Sequence, residues 1–366
     1  DDDGKHGLNV HPSRERVNAQ AADDSPPVGF AAMAPPGNHR AMASKPQAIG
    51  PFPGGMDNRR PDFALSNGES GDLLRDAVNA DITAQGTVKR RAGMALAQAG
   101  LDCHSLWSPA SEAYALYADA GDLYRLAPNA AGALTRTQIA SGFGRTSPVS
   151  FCEVHEAVYY SDGLRRASYH PATGPTPAWT DAQPVVLRDV QYLPMPAGRI
   201  VAHHINRLLV ANGSTLFYSE PFTPNLYDEA KGFVIFPARI TLVVPVEGGV
   251  YVAADQTYFI PGGFPAQGMR AVLPYGALER SSGLVPNSKS AHWMSPRGVI
   301  TGTADGTVAN LQEAHIAIQP ATHGASIFTE RDGMRQIIAA LTDPGETRSA
   351  VGDFADMEVV RKGIIL

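Results

Sequence analysis

The sequence predicts an all-β fold: a β-propeller-like domain of repeated short antiparallel strands, preceded by an extended N-terminal arm. Three observations predict it. Chain-punctuating residues are abundant, with 36 Gly and 29 Pro among 366 residues, which suits many turns and few long helices. A unit of strand, tight turn and second strand, often with an aromatic after the turn, returns at roughly 40 to 50 residues, the spacing of propeller blades. The turns themselves recur: Asp119-Ala120-Gly121-Asp122, Ser161-Asp162-Gly163, Ala211-Asn212-Gly213-Ser214 and Ala304-Asp305-Gly306. Asn-Gly and Asp-Gly pairs supply the positive φ that hairpins need, so Asn212-Gly213 reads as a type I′ turn.

In chain order, residues 1–50 form the arm. They are rich in Ala, Pro and Asp and have almost no hydrophobic periodicity. Such a segment cannot bury enough apolar surface to offset its own ordering, so it is expected to lie along a neighbouring subunit. Residues 51–71 are a Pro/Gly-rich lead-in, with Pro51, Pro53, Gly54 and Gly55 punctuating the backbone. Residues 72–366 are the propeller-like domain. It opens with a short helical turn over Leu73–Val78, ended by Asn79, and a strand pair follows from Asp81–Thr83 through Gln85-Gly86 to Thr87–Lys89.

Five repeat units come next. HSLWSP, AYALYADAGDLYRL and ALTRTQIA make the first, and VSFCEVHEAVYYSDGLRRASYH the second, closing near Trp179. GRIVAHHINRLLVANGSTLFYSE is the third and ITLVVPVEGGVYVAADQTYFIPG the fourth. The fifth joins HWMSPRGVITGTADGTVANLQEAHIAI to ASIFTERDGMRQIIAAL. Strands in ADITAQGTVKRRAG near the start and DMEVVRKGIIL at the end are expected to pair and close the ring. A two-domain sandwich is the structural rival, since it too shows short strands at regular spacing. The hairpin unit that returns without long connections favours the propeller, although no WD or kelch signature occurs.

Composition excludes several function classes. A formal net charge of −6 argues against coating nucleic acid by charge alone. No run of about 18 apolar residues occurs, so no membrane-spanning helix is expected. Cys103 and Cys152 cannot make a disulfide framework and are expected to be free buried thiols of a protein folded in a reducing cytoplasm. The chain opens on Asp1 with neither methionine nor a signal-type apolar stretch, as a processed or trimmed start would.

Catalytic signals are weak throughout. Gly54-Gly55 and Gly248-Gly249 lack phosphate-loop spacing and read as turns. No GxSxG elbow occurs. His203 and His204 are adjacent on a strand and point to opposite faces, which is poor geometry for chelating one metal. His104, His155, His292, His315 and His323 are scattered, and each reads as an ordinary polar or packed histidine. Asp305-Gly306 lacks the further acidic ligands of a calcium loop and reads as a hairpin turn. Arg59-Arg60, Lys89-Arg90-Arg91 and Arg165-Arg166 are short, separate basic groups that would grip DNA phosphate only if they converged on one rim. The expectation is therefore no catalytic residue, no metal, no cofactor and no enzyme activity.

The stretch Phe52-Pro53-Gly54-Gly55-Met56-Asp57-Asn58, followed by LRDAVNADITAQGTVKRRAG and then by HSLW and DLYRL, resembles a group of tailed-bacteriophage virion proteins. More distantly it is similar to the hub or nozzle proteins of short-tailed phages. The likeness covers roughly residues 51 to 341, and GGVYVAADQTYFIPG and GTVANLQEAHIAIQPATHGASIFTERDGMRQIIAAL fit it as well. The resemblance implies a β-propeller-type structural component of a phage tail, a hub, nozzle or tip ring around the DNA exit path. It would act in virion assembly and in DNA retention and delivery. It also implies a homo-oligomeric ring, other tail proteins as partners, non-specific contact with passing DNA, and location in the virion after folding in the host cytoplasm. It carries no catalytic residues over. The alternative is a propeller-type binding module, or a receptor-binding or hydrolytic tail protein acting on host surface glycans.

Overall fold

Strands of two to nine residues, many joined by tight turns, build the protein as a series of small antiparallel sheets. The computed structural model describes residues 50–67, 71–83, 85–91, 93, 96–176, 179–285, 289–331, 334–342 and 364–365. Apart from Gly50, the arm expected over residues 1–50 lies outside the described residues, which belong to one unit running from Ile49 to Leu366.

Among the described residues, five four-stranded sheets follow one another along the chain. The first comprises His104–Trp107, Ala115–Asp119, Asp122–Pro128 and Leu134–Ala140. The second comprises Ser150–Val154, Ala157–Ser161, Arg166–His170 and Gly174–Thr176. The third holds Ile200–His204, Arg207–Asn212, Thr215–Tyr218 and Phe233–Ile235, and the fourth Leu242–Val246, Gly249–Ala253, Thr257–Pro261 and Arg270–Leu273. The fifth holds Gly283–Val285, Ser290–Ser295, Gly298–Gly302 and Val308–Asn310.

What makes this a propeller-like stack is the fate of each middle strand. Successive side chains of a strand leave opposite faces, and here both faces are covered. Val158 and Tyr160 pack with Leu116 and Ala118 of the first sheet, while Tyr159 between them packs with Val201, Leu208 and Val210 of the third. Leu209 and Ala211 face the other way, onto Val243, Val250 and Val252 of the fourth sheet. Tyr251 and Ala253 then join Trp293 and Ile300 of the fifth. Every residue of Gly249–Ala253 is buried as a result. Such strands read as continuous apolar runs rather than half-solvated alternation.

Polar side chains tie neighbouring sheets at the edges of these cores. The Val201 N–H donates to Ser150 Oγ at 3.0 Å, and the Tyr251 hydroxyl donates to the Thr303 carbonyl at 2.6 Å. His204 Nε2 meets the Gly262 carbonyl at 2.8 Å.

The expected propeller-like all-β fold is thus present, with differences at its ends. Leu73–Val78 form no helical turn, because the backbone there bonds to the lead-in instead. Leu74 donates to Gly55 and accepts from Asp57, at 2.9 and 2.8 Å. The fifth unit divides in two. Its first half makes the fifth sheet with the added strand Gly283–Val285, and its second half is a separate long hairpin, His323–Arg331 with Met334–Thr342. Among the described residues, the two expected closing segments do not pair with each other. Ala80–Ile82 pairs with Val88–Arg90 of its own hairpin, and Ile364–Ile365 pairs with the long hairpin at Ala339 and Ile338. A three-stranded sheet of Val185–Leu187, Val190–Pro194 and Leu226–Asp228 is also present. Its tight turn uses Arg188 and Asp189 at φ 51° and 64°, so no glycine signals it.

The turn after Asn212 differs in type from the expectation. Asn212 pairs with Thr215, which leaves Gly213 and Ser214 as the central residues, with Gly213 at φ 61°. Positive φ at the first central position is the type II′ arrangement. A side chain at Gly213 would meet open space, so Gly213→Val should cost backbone strain alone, about 1–3 kcal/mol. A lower melting temperature is the expected outcome, and an unchanged melt would contradict this turn.

Candidate functional site

Polar bonds tie the lead-in to the body of the domain. The Phe52 N–H donates to the Gly86 carbonyl at 2.8 Å. This contact needs glycine, since a Cβ on Gly86 would lie 2.4 Å from the Pro53 nitrogen. Further along the lead-in, the Asp57 side chain is fully buried. Its Oδ1 accepts the Arg59 and Arg60 N–H groups at 3.0 and 2.9 Å. Its Oδ2 takes Arg60 Nε at 3.1 Å and His315 Nδ1 at 2.9 Å.

Asn58 completes the clasp. Its N–H donates to the His315 carbonyl, and its amide side chain both donates to and accepts from the Ala317 backbone, at 3.1 and 2.6 Å. A short polar pair near the start of the domain therefore holds the connection between the fifth sheet and the long hairpin, 259 positions away. Burial pushes the Asp57 carboxyl up, but the His315 bond and the two N–H groups outweigh it and hold the group below its ordinary range.

The histidines weighed in the sequence serve separate local roles. His203 and His204 do point to opposite faces. His204 binds the Gly262 carbonyl, whereas the buried His203 Nε2 has no partner among the described residues. The His155 ring lies 6.1 Å from that of His203 and stacks on Phe222 at 5.9 Å. His104 Nε2 meets the Arg145 carbonyl at 3.0 Å, and His292 Nε2 meets Ser326 Oγ at 3.0 Å. His323 sits beside Thr322 and, at 3.7 Å, Glu279. No group of three or more His, Cys, Asp or Glu side chains placed to share a metal ion occurs among the described residues.

Cys152 is a free buried thiol, as expected, but Cys103 is exposed. Asp305 accepts the Thr307 N–H at 3.0 Å and the Thr307 hydroxyl at 3.1 Å, which makes it a turn residue. The basic groups are used differently from one another. Arg60 is bound to Asp57, and Arg166 turns inward to the Met195 carbonyl, while Lys89 and Arg90 stand exposed on their strand.

Two constellations escaped the sequence reading. Asp119, read only as part of a turn, is buried and accepts the Leu101 and Asp102 N–H groups and Arg136 Nη2, each at 2.8 Å. The second is a cleft of about 330 Å³ between the first and second sheets. Arg125 is paired across its sheet with the buried Leu116, and Glu153 with the buried Val158. Cross-strand partners share a face, so both charged side chains project into the space between the two sheets where the apolar core ends. Tyr114, Glu156, His170 and Ser111 complete the lining. The Arg125 guanidinium lies over the Tyr114 ring, 5.1 Å from its centre. Tyr114 is only 7% exposed, and burial, then Glu153, pushes its hydroxyl up to about 12. Its signal in the sequence was absent because the charged residues fall in different units.

No protein-family model and no curated protein matches the chain. Solved structures similar to it include BBS1N in complex with ARL6DN, at 12% identity and a TM-score of 0.42, covering 62% of this chain and 71% of that one. A functionally unknown protein from Desulfotomaculum acetoxidans has 12% identity and a TM-score of 0.41, over 66% and 83% of the two chains. A gluconolactonase of Xanthomonas campestris has 8% identity and a TM-score of 0.40, over 66% and 84%.

The clasp gives a pH-dependent expectation. A carboxyl held below its unfolded value, near 4, adds stability that is complete above that value and is lost as pH falls through the folded value. Asp57→Asn should therefore lower stability near neutral pH by about 1–3 kcal/mol. Melting curves of the two proteins should draw together as pH falls from about 7 to about 3. A gap constant across that range would contradict the charge-based clasp.

Proposed function

We propose that the protein is a structural component of a bacteriophage tail, a propeller-like module of a hub, nozzle or tip ring around the DNA path. The observation that carries this reading is the use made of the residues that resemble phage virion proteins. Phe52, Asp57, Asn58 and Gly86 all spend their polar groups or their lack of a side chain on joining the lead-in to the body. Their work is mechanical, as an assembly protein requires.

Surface chemistry supports association. Val185, Val186 and Leu187 are all exposed on the outermost strand of the three-stranded sheet. An apolar edge strand invites pairing with another chain. Phe63 and Leu164 are each 87% exposed, and cost least when a neighbouring subunit covers them. In this reading the partners are sister subunits in a ring and other tail proteins, with the exposed Lys89 and Arg90 available to passing phosphate. No helix of the described residues is long and apolar enough to cross a membrane. The second reading, a binding module for surface saccharides, is favoured by one feature only, the cleft between the first two sheets.

Mass spectrometry and electron microscopy of purified particles test the assembly reading. The expected outcome is the full chain in the tail fraction at a fixed copy number, located in a symmetric ring. Its absence from intact particles would overturn the reading.

A further inference from the structure

The three-stranded sheet ends on a strand with an unused outer edge. Val185–Leu187 turns through Arg188-Asp189 into Val190–Pro194, with Val185 opposite Tyr192, Val186 opposite Gln191 and Leu187 opposite Val190. On the far side of the middle strand, the Gln191 carbonyl accepts the Glu229 N–H at 3.0 Å. Opposed residues of an antiparallel pair either exchange bonds or face away from each other. Gln191 faces away from Val186, so the N–H and C=O of Val186 point out at the free edge. Trans peptide units extend the alternation by one step each way. The Pro184 carbonyl and the Arg188 N–H therefore point outward as well. Along the strand the edge reads acceptor, donor, acceptor, donor, and none of these groups has a partner among the described residues.

A second copy of this chain matches that edge. Turned antiparallel about Val186, the two copies pair every group. Val186 exchanges two bonds with its counterpart, and each Arg188 N–H meets the Pro184 carbonyl of the other copy. A slip of two residues sets Val186 against Pro184, which has no N–H to return. Side chains favour the same register. Val185 comes to lie beside Leu187 of the other copy, with Tyr192 and Val190 behind them on the same face, so one apolar strip crosses the joined sheets. Val186 and Leu187, 67% and 58% exposed, are the residues this covers. Charge agrees too. Exposed Asp181 precedes the strand and exposed Arg188 follows it, so antiparallel pairing brings unlike charges to each end and sets no like charges directly opposite.

We propose that Val185–Leu187 is a self-pairing edge, which joins two copies of the chain about a two-fold axis through Val186. Such a contact is complete with two copies and does not propagate. Within the tail reading it joins two rings face to face, and other surfaces close each ring. The pairing itself does not rest on that reading.

Sedimentation velocity of the full chain, with Val186→Lys beside it, tests the proposal. The strand is short against a standard interface, so a reversible association with a Kd on the order of 100 µM is expected. Val186→Lys sets two ammonium groups against each other across the axis and should halve the mass of the associated species. Its melting temperature should not fall at concentrations where both proteins are unassociated, because Val186 is exposed and its outward groups bond to nothing in its own sheet. Register is read separately. With Cys103→Ser as background, Val186→Cys should be linked to its counterpart by a short bismaleimide, and Leu106→Cys, equally open at 73% exposure, should not. A monomer at every concentration up to about 0.5 mM, five times the expected Kd, would overturn the proposal. So would an associated species whose mass survives Val186→Lys, or equal linking of the two cysteine variants. A chain absent from particles that still pairs through Val186 would sink the tail reading alone.

Discussion

The structure depends on one packing constraint: the middle strands of successive sheets are covered on both faces by their neighbours. A strand exposes its side chains alternately, so a sheet lying between two others must be apolar at every position of its centre. That is why Leu208, Leu209 and Val210 are all fully buried, and why they serve two different cores. The order of the sheets along the chain becomes their order in space. Polar side chains buried within the strands, such as Ser168 and His292, are hydrogen-bonded. The clasp lies outside the cores, whereas Arg125 and Glu153 of the cleft stand within their strands.

The two polar sites differ in how their groups are met. At the clasp, Asp57 and Asn58 meet every donor and acceptor they bring to burial, and the result is rigid attachment of the lead-in to a distant connection. Beside the cleft, Tyr114 Oη and Arg125 Nε are buried without a hydrogen-bond partner among the described residues, which is a poor arrangement for stability. Satisfied networks hold structure together, whereas a buried donor left unmade weakens it.

Much of the fold was legible because turns are written locally. Gly121, Gly163, Gly213 and Gly306 all occupy positive φ, as their neighbours in sequence imply. The first four units are recovered as sheets for that reason. Where turns use non-glycine residues, the sequence is silent: His155-Glu156, Arg188-Asp189 and Ile205-Asn206 all take left-handed conformations. The three-stranded sheet around Arg188 was missed on this account. The pairings of Ala80–Ile82 and Ile364–Ile365 differ from the expectation for another reason, since strand pairing between distant segments has no local signature. The clasp joins residues 57–58 to 315–317, and the cleft joins two units, so neither spacing nor motif could announce them.

The central claim is that alternate residues of one middle strand belong to different inter-sheet cores, and double-mutant cycles measure this directly. Leu209 and Val250 share a core, whereas Leu208 lies in the core on the opposite face. Truncation to alanine at Leu209 and Val250 should be non-additive by about 0.5 kcal/mol or more in chemical unfolding. The pair Leu208 and Val250 should add within about 0.3–0.5 kcal/mol. Equal coupling for both pairs would contradict the stacked-sheet arrangement on which the whole account rests.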